Sequence, residues 1–325
     1  MQVLVCGGAG YIGSHMAKML AARGDHVTIF DNLSTGHREA VQWGSLMVGD
    51  LLVAEDIDKL LQGQSYDAVM HFSAKSLVGE SVSHPHLYYL NNVVGTVNLL
   101  NALVRHGIDK FIFSSSAAVF GNPDYTPIDE QHPTRPINPY GRTKLMVEDL
   151  LADYDRAYGL RSVSLRYFNA AGADPQAQIG ESHDPETHLI PNVLLSVSKR
   201  GGQPLKVFGT DYSTPDGTCV RDYIHVNDLC DAHLRALDHL VRGGKTEIFN
   251  LGNGRGFSVL DVIQSAASVT GKEIPYTVVE RRVGDPPVLV ASAGKARQQL
   301  KWEPRYSELG AIIETAWRWH KKQSF

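Results

Sequence analysis

Gly7-Gly8-Ala9-Gly10-Tyr11-Ile12-Gly13 follows the apolar run Gln2–Cys6 directly and precedes an amphipathic segment, Ser14–Arg23. A glycine-rich turn between a strand and a helix predicts a phosphate-binding loop. We expect Gly7 to permit the tight turn, Gly10 to let a pyrophosphate approach the backbone, and Gly13 to let helix and strand pack closely. The N–H groups and dipole at the helix start favour the phosphate charge. The sequence therefore predicts a dinucleotide site at this turn.

An acidic residue follows the second predicted strand, Val27–Phe30. Asp31 lies 18 residues after Gly13, close to the ~20-residue spacing at which a carboxylate binds the adenosine ribose 2′-OH and repels a 2′-phosphate. No arginine follows Asp31 immediately, so NAD is favoured over NADP. A tight turn with a capping aspartate would explain Asp31 alone, but it would not explain the whole dinucleotide pattern.

Apolar, β-rich runs alternate with amphipathic segments along the first half of the chain. The predicted strands are Gln2–Cys6, Val27–Phe30, Ala68–Phe72, Lys110–Ser114 and Arg161–Tyr167, and the predicted helices include Ser14–Arg23, Val93–His106 and Tyr140–Tyr158. This alternation predicts βαβ units and an α/β fold with a doubly wound parallel sheet. We expect residues 1–171 to form a Rossmann domain, with a return of the chain to it around 218–250. Residues 172–325 are expected to form a smaller α/β domain, with a helix at Leu189–Lys199 that Gly201-Gly202 ends.

Composition excludes several classes of protein. Of the 325 residues, 43% are hydrophobic and 20% charged, which supports a buried core and argues against disorder. The net charge of −4 leaves no basic surplus for nucleic acid, and no apolar run reaches the roughly 18 residues of a membrane span. The cysteines, Cys6, Cys219 and Cys230, are too few for a disulfide framework. With no signal-peptide pattern at the start, we expect a cytoplasmic protein with reduced thiols.

The candidate catalytic residues lie beside the predicted dinucleotide site. Tyr140 and Lys144 are four residues apart and share one helical face. A tyrosine has an ordinary pKa of about 10, but Lys⁺ and a positive nicotinamide ring would both favour its phenolate. Ser114-Ser115-Ser116 lies at the C-terminal end of a predicted strand, where α/β sheets bind ligands. Together these residues predict proton transfer at an alcohol coupled to hydride transfer.

At these motifs the chain resembles the extended short-chain dehydrogenase/reductase family, and within it the nucleotide-sugar 4-epimerases. The motifs that carry the resemblance are GGAGYIGSH at 7–15, FSSSA at 113–117, NPYGRTK at 138–144, LRYFNAAGA at 165–173, THLIP at 187–191, GTCVRDYIHVNDL at 217–229 and RRVGDPP at 281–287. The resemblance implies interconversion of UDP-glucose and UDP-galactose by NAD-dependent oxidation at C4, rotation of the 4-keto intermediate and re-reduction. It also implies that residues 172–325 bind the UDP-sugar, and that the protein is a homodimer pairing the helices Val93–His106 and Leu145–Tyr158 of each subunit.

The resemblance also implies the site residues. It assigns catalysis to Ser116, Tyr140 and Lys144. Cofactor contacts are implied for Gly7, Gly10, Tyr11, Ile12, Gly13, Asp31, Asn32, Asp50, Leu51, Phe72, Tyr140, Lys144 and Tyr167. Substrate contacts are implied for Ser116, Tyr140, Asn169, Leu189, Phe208, Arg221, Tyr223, Val259, Arg282 and Asp285. Arginine forks suit a pyrophosphate, whereas Asp222 and His225 are expected to be structural.

Alternatives remain within and outside this activity. Another UDP-sugar enzyme of the same fold is possible, such as a UDP-N-acetylglucosamine or UDP-glucuronate 4-epimerase, or a uronate decarboxylase. A 4,6-dehydratase is disfavoured because Ala117 and Ala118 follow Ser116 where such an enzyme needs acids. A non-catalytic NAD sensor is disfavoured by the intact Ser116, Tyr140 and Lys144.

Two positions depart from what the resemblance implies. Some relatives have a lysine at position 76, where this chain has Ser76 after Lys75. Position 289, in the wall near the sugar C2 substituent, is a leucine where some relatives have tyrosine and others a small residue. Because Leu289 is of intermediate size, we expect slower turnover of UDP-N-acetylglucosamine beside the glucose and galactose pair.

The sequence predicts no metal site. It contains no His-Glu-x-x-His helix, and its cysteine spacings match no zinc motif. His183 and His188 flank a proline-containing loop, a spacing that does not fix a ligand pair.

Overall fold

The computed structural model describes residues 1–198, 204–282, 285–323 and 325. The strands are β1 (Gln2–Cys6), β2 (His26–Asp31), β3 (Ser45–Val48), β4 (Ala68–His71), β5 (Lys110–Ser114), β6 (Arg161–Tyr167), β7 (Asn169–Ala171), β8 (Leu205–Phe208), β9 (Val220–His225), β10 (Glu247–Leu251), β11 (Gly256–Ser258), β12 (Tyr276–Val279) and β13 (Val288–Leu289). The helices are α1 (Tyr11–Arg23), α2 (Ala54–Leu61), α3 (Val78–Ser83), α4 (Pro85–Tyr88), α5 (Gly95–Arg105), α6 (Pro139–Tyr158), α7 (Leu189–Ser196), α8 (Val226–Val241), α9 (Val259–Thr270), α10 (Gly294–Gln299) and α11 (Leu309–Lys322). A π-helical turn, Tyr89–Val94, joins α4 to α5.

Seven parallel strands form the main sheet in the order β10-β6-β5-β4-β1-β2-β3. Alternate side chains of β1 enter two different cores, because successive side chains of a strand point to opposite faces. Val3 and Val5 pack with α1 and α8, whereas Leu4 and Cys6 pack with α2, α5 and α6. Helices therefore cover both faces, and the predicted doubly wound α/β fold is confirmed.

The order of the strands also positions the ligand cleft. β2 and β3 lie on one side of β1, while β4, β5, β6 and β10 lie on the other. The chain first adds β2 and β3 on one side of β1 and then crosses to add β4 on the other side, so the strand order reverses between β1 and β4. Ligands of open α/β sheets bind at the carboxyl ends of the strands at such a point. The glycine-rich turn after β1 and Phe72 after β4 both lie there.

The structure differs from the sequence-based expectation at several element boundaries. The five predicted strands form within one or two residues of their expected bounds. The edge strand β3 was not predicted, and β10 joins the main sheet beside β6 although it follows β9 in the chain. The predicted helix from Leu189 begins at that residue and runs to Ser196, while Lys199 and Gly201-Gly202 lie outside the described residues.

A smaller sheet flanks the cleft. Its central strand β9 pairs with β11, β13 and β7, and the register places Asn169 opposite Tyr223. Helices α7, α9 and α11 pack against these strands and β8 around a core of their own. Since β7 follows β6 after a single residue, Phe168, the chain passes from the main sheet to the smaller sheet at the cleft itself.

None of the helices in the described part of the chain is both long and apolar enough to cross a bilayer.

Candidate active site

Backbone atoms in and beside the glycine-rich turn leave no room for a side chain at Gly7 or Gly13. Gly7 has a φ of +79°, and a Cβ there would lie 2.5 Å from the Ser73 nitrogen. A Cβ on Gly13 would lie 2.1 Å from the Gly7 oxygen. At Gly10, in contrast, a Cβ would come no closer than 3.4 Å to any atom. The packing of the protein therefore requires glycine at Gly7 and Gly13, but it does not account for Gly10.

Asp31 is held by the turns on either side of it. Its Oδ2 accepts a hydrogen bond from the Ala9 nitrogen at 2.9 Å, and its Oδ1 accepts one from the Leu33 nitrogen at 2.8 Å. Burial raises the pKa of the Asp31 carboxyl, and these two hydrogen bonds oppose the rise. The carboxylate is thereby fixed at the end of β2, at the rim of the cleft.

All of the predicted site residues line one cleft of about 1710 Å³ between the two sheets. Gly7, Gly10, Tyr11, Ile12, Gly13, Asp31, Asn32, Asp50, Leu51, Phe72 and Tyr167 line it on the side of the main sheet. Asn169, Leu189, Phe208, Arg221, Tyr223, Val259, Arg282 and Asp285 line it on the side of the smaller sheet. Ser116 follows β5 by two residues, Tyr140 and Lys144 lie in the first turns of α6, and all three line the same cleft.

The start of α6 aims the candidate catalytic side chains. The Asn138 side chain caps the helix by accepting from the Gly141 nitrogen at 2.8 Å, a stabilising use of an N-cap asparagine. One turn later, the Lys144 ammonium donates to the Ser114 oxygen at 2.8 Å and lies 5.8 Å from the centre of the Tyr140 ring. The register of α6 and the end of β5 together fix the pair.

Burial shifts the acidities of both groups. It raises the pKa of the Tyr140 phenol, which the neighbouring Ser116 hydroxyl partly opposes. Burial also lowers the pKa of the Lys144 ammonium to about 7, although the negative charge of Glu148 acts in the opposite direction and raises it. Burial therefore makes both groups harder to ionise: it brings the pKa of the Lys144 ammonium close to neutral pH and moves the pKa of the Tyr140 phenol away from it.

The smaller sheet presents planar and aromatic groups to the other half of the cleft. The Arg221 guanidinium donates to the Val220 and Pro286 oxygens at 2.9 Å each and lies 3.3 Å from the Asp285 carboxylate. The Arg282 guanidinium stacks 3.9 Å from the centre of the Phe208 ring. Both arginines are oriented by protein contacts, as a bidentate site for a diphosphate requires.

Known proteins resemble this chain over nearly its whole length. Residues 3–252 match the NAD dependent epimerase/dehydratase family. The chain belongs to the NAD dependent epimerase/dehydratase family. A UDP-glucose 4-epimerase of Rhizobium meliloti is 51% identical, with 99% of this chain and 98% of the relative covered.

Two solved structures of the epimerase/dehydratase family give the same fold. The UDP-glucose 4-epimerase of Brucella ovis in complex with NAD has a TM-score of 0.95 and 50% identity, covering 98% of this chain and 97% of its own. The UDP-glucose-4-epimerase of Stenotrophomonas maltophila, with bound NAD and formylated UDP-arabinopyranose, has a TM-score of 0.95 and 40% identity, covering 100% and 99%. The resemblance inferred from the motifs is confirmed.

NAD, the cofactor of the epimerase/dehydratase family, fits the residues at the glycine-rich turn. No side chain caps α1, so its first N–H groups are available to a phosphate. The room at Gly10 gives a pyrophosphate access to the backbone. Asp31 lines the same cleft at the end of β2, so its carboxylate would serve as the acceptor for an adenosine ribose.

The structure adds a buried ion pair behind Lys144 that the sequence analysis did not identify. Glu148, one turn after Lys144, contacts the Arg166 guanidinium through N···O distances of 2.5 to 3.2 Å and accepts from the Ser115 hydroxyl at 2.5 Å. The Arg166 and Glu148 side chains are only 6% and 2% exposed. Because Tyr140, Lys144 and Glu148 follow each other at i, i+4 and i+8, the helical period already places them on one face.

The residues that depart from the family pattern lie in the cleft wall. Lys75 and Ser76 both line it, and the Asn92 side chain holds the Lys75 backbone through bonds of 2.8 and 3.0 Å. Leu289 lies in β13 opposite Arg221 and packs on Val119, Phe120 and Ile128. Asp222 and His225 make the structural contacts expected of them, since both hydrogen-bond to backbone groups. Asp222 accepts from three backbone nitrogens, and the His225 side chain caps α8.

Proposed function

We propose that this protein interconverts UDP-glucose and UDP-galactose by inverting the configuration at C4 of the sugar. One observation carries the proposal: a phenol, an amine and a serine hydroxyl converge in a cleft that has a dinucleotide loop at one end and paired arginines at the other. The whole-length similarity to UDP-glucose 4-epimerases supports it.

Tyr140 acts as the general base and then as the general acid. Its phenolate accepts the proton of the sugar 4-OH, and its phenol returns that proton to the C4 oxygen after the 4-keto sugar has turned its other face toward the cofactor side. Bound NAD would supply reversible hydride transfer at C4, so that the turn of the sugar between the two transfers inverts the configuration. The Ser116 hydroxyl lies beside Tyr140 and donates to the C4 oxygen. The charged Lys144 ammonium lies 5.8 Å from the centre of the Tyr140 ring and stabilises the phenolate. Because both groups are buried, their electrostatic attraction is stronger than it would be in water.

The nucleotide half of the substrate stays bound while the 4-keto sugar rotates. Arg221 and Arg282 hold the diphosphate, and Asp285 accepts from a ribose hydroxyl. Asn169, Leu189, Phe208, Tyr223 and Val259 complete this half of the site. Binding energy far from the reacting carbon can hold a reactive intermediate without fixing its sugar ring.

Proton NMR of UDP-galactose incubated with the purified protein tests the activity directly. We expect the anomeric signal of UDP-glucose to grow to a constant ratio with no added reductant. Tyr140→Phe should lower kcat by ~10²–10⁴-fold, the usual contribution of a general acid–base group. Tyr154→Phe is a matched control, since Tyr154 lies on the same helix but donates to Asn101 on the surface. Absence of UDP-glucose, or equal turnover in both variants, would contradict the proposal.

Turnover of UDP-N-acetylglucosamine is a second proposed activity, slower than the first. The half-buried Leu289 lines the cleft and leaves more room than tyrosine would. The same NMR experiment with UDP-N-acetylglucosamine measures it, and no conversion would restrict the substrates to the glucose and galactose pair.

We also propose that the protein is a homodimer. The π-helical turn Tyr89–Val94 packs against α6, and Tyr89, Leu90, Val94 and Met146 on these segments are 36% to 47% exposed. An exposed apolar patch on adjacent helices supports this assembly, because a two-fold interface pairs the same patch on both subunits. Sedimentation equilibrium at micromolar concentration should give twice 35.7 kDa, and a monomer would refute the assembly.

A cytoplasmic location is proposed from the thiols. Cys6, Cys219 and Cys230 are buried and unpaired, and burial raises the pKa of Cys6 and Cys230, which suppresses their reactive thiolates. Titration of the denatured protein isolated under non-reducing conditions should find three free thiols.

A further inference from the structure

The loop before α7 brings two histidines and two glutamates to one point in the cleft wall. Glu181, His183, Glu186 and His188 each offer one ligand atom, and these atoms all lie within 4.8 Å of one another. The proposed mechanism uses none of the four. Both histidines present Nδ1, and the Glu181 and Glu186 side chains are only 6% and 9% exposed.

We propose that Glu181, His183, Glu186 and His188 bind one divalent transition-metal ion of the zinc class. Four donors at a tetrahedral zinc, with bonds of about 2.0–2.2 Å, stand roughly 3.3–3.5 Å apart. The His183 Nδ1 lies 3.2 Å from Glu181 and 3.8 Å from Glu186, and the His188 Nδ1 lies 2.5 Å from Glu181 and 3.4 Å from Glu186. Two of these four separations, His183 to Glu181 and His188 to Glu186, are close to the edge of such a tetrahedron, and the 2.5 Å contact between His188 and Glu181 would have to lengthen when an ion binds.

One pair of donors is buried in close contact without being aligned for a hydrogen bond. Glu181 Oε1 and His183 Nδ1 are buried and 3.2 Å apart, yet neither is aligned for a hydrogen bond. Two neutral imidazoles and two carboxylates carry a charge of −2, which one divalent cation neutralises.

The mixed donor set selects the class of metal. Imidazole nitrogen suits zinc, cobalt, nickel and iron, whereas calcium and magnesium prefer oxygen ligands throughout. A cluster of imidazolium and carboxylate groups is the alternative state of the same residues. Burial would lower the pKa of His188, but Glu181 and Glu186 raise it to about 10. Protons and the metal therefore compete for this site.

The loop is fixed by both parts of the fold, as a metal site requires. The Trp319 indole of α11 donates to the Glu181 backbone oxygen at 2.9 Å, and the His37 ring lies 3.0 Å from the Ser182 oxygen. The Thr187 and His188 nitrogens donate to one oxygen of Glu186 at 2.7 and 2.8 Å, which orients its carboxylate. Such an ion would brace the start of α7, where Leu189 lines the cleft.

Equilibrium dialysis of the chelator-treated, full-length protein against Zn²⁺ tests the site, with metal counted by mass spectrometry. We expect one tightly bound ion per chain. His183→Asn and His188→Asn should each weaken binding by about 100-fold or more, since even groups that only support metal ligands are worth 10–100-fold. Asparagine is also a favoured residue at a helix N-cap, which is the position of His188 before α7. His106→Asn, at an exposed histidine, is the control and should bind as wild type does.

A second measurement uses wild type alone and so does not depend on how the variants fold. Co²⁺ added to the chelator-treated protein should produce the intense visible bands of a tetrahedral nitrogen and oxygen site, and one equivalent of Zn²⁺ should abolish them. An octahedral cobalt spectrum, no tight equivalent, or equal binding by His183→Asn and His106→Asn would each overturn the proposal.

Discussion

Removing the charge of Glu148 should destabilise the protein far more than removing a surface charge from the same helix. The Glu148 carboxylate and Arg166 are almost wholly buried, with a closest N···O distance of 2.5 Å. Glu148→Gln would leave the guanidinium buried without a counter-charge, a change that costs about 3–5 kcal/mol. We expect the free energy of unfolding, measured in urea with a fixed excess of NAD, to fall by that amount.

Asp153→Asn supplies the matched control. Asp153 and Arg156 also lie on α6 and also approach to 2.5 Å, but their side chains are 66% and 76% exposed. Water screens such a pair, so its loss should cost about 0–1 kcal/mol. A similar loss of unfolding free energy for the two substitutions would show that burial does not determine how much the Glu148–Arg166 pair stabilises the protein.

Glu148→Gln should also change the pH dependence of turnover. The Glu148 charge raises the pKa of Lys144, which burial has lowered to about 7. Without that charge a smaller fraction of Lys144 is protonated at neutral pH, and less phenolate forms at Tyr140. We expect kcat to fall in the folded variant, while Asp153→Asn keeps the wild-type pH profile. Should Glu148→Gln not fold, the double variant Glu148→Leu/Arg166→Met removes both charges and should recover most of the stability.

Three further predictions concern the cleft. Asp31→Asn should weaken NAD binding by about 10–100-fold and reduce the preference for NAD over NADP, because a hydrogen bond to a charged group is worth about 1.5–3 kcal/mol. Titration of the ligand-free protein with both cofactors checks this. An unchanged ratio of the two affinities would contradict it. Leu289→Tyr should lower kcat/KM for UDP-N-acetylglucosamine by about 10-fold or more but not for UDP-galactose, and full retention of both activities would exclude Leu289 from specificity. Lys144 has a pKa of about 7 in the folded protein and 10.5 as its ordinary value, so the folded state binds fewer protons than the unfolded state between these values. The free energy of unfolding of wild type should therefore rise with pH across that range, by as much as ~5 kcal/mol relative to Lys144→Met. Urea midpoints of the two proteins that run parallel from about pH 7 to pH 10 would contradict this prediction.

The main sheet could be predicted because its signals are local. The strands from Gln2, Ala68 and Lys110 are continuous apolar runs, which is the pattern of strands buried on both faces. Tyr140 and Lys144 share a face through the helical period alone. In contrast, β3 has the burial pattern of an edge strand, with Ser45 and Val48 exposed, so neither apolar continuity nor alternation identified it.

The Glu148 pair could not be predicted, because its partner depends on which strand α6 covers. Arg166 lies 18 residues away on β6, and only the packing of α6 on β6 brings the two together. One signal in the sequence was available. Ser162, Ser164 and Arg166 alternate along an otherwise apolar strand, so one face of β6 had to meet polar groups.

The cluster at 181–188 was missed for a different reason. The spacing Glu-x-His-x-x-Glu-x-His has neither the period of a helix nor that of a strand, and a loop spacing does not fix His183 and His188 as a ligand pair. The folded loop takes its geometry from contacts with Trp319 and His37, both more than 130 positions away in the chain. A prediction from spacing fails where distant residues determine the backbone.

The position of the sugar relative to the cofactor does not depend on a hinge between the two halves of the cleft. Tyr167 ends β6 with its hydroxyl bonded to Ser114, and Asn169 begins β7 in register with Tyr223. Only Phe168 separates the two strands, so consecutive peptide units join the cofactor side to the substrate side. Both strands are fixed by their own sheets, and the chain between them is too short to let the sheets move apart at this point. The two sheets are therefore joined directly at the cleft, and in the proposed mechanism the sugar ring turns about its link to the diphosphate.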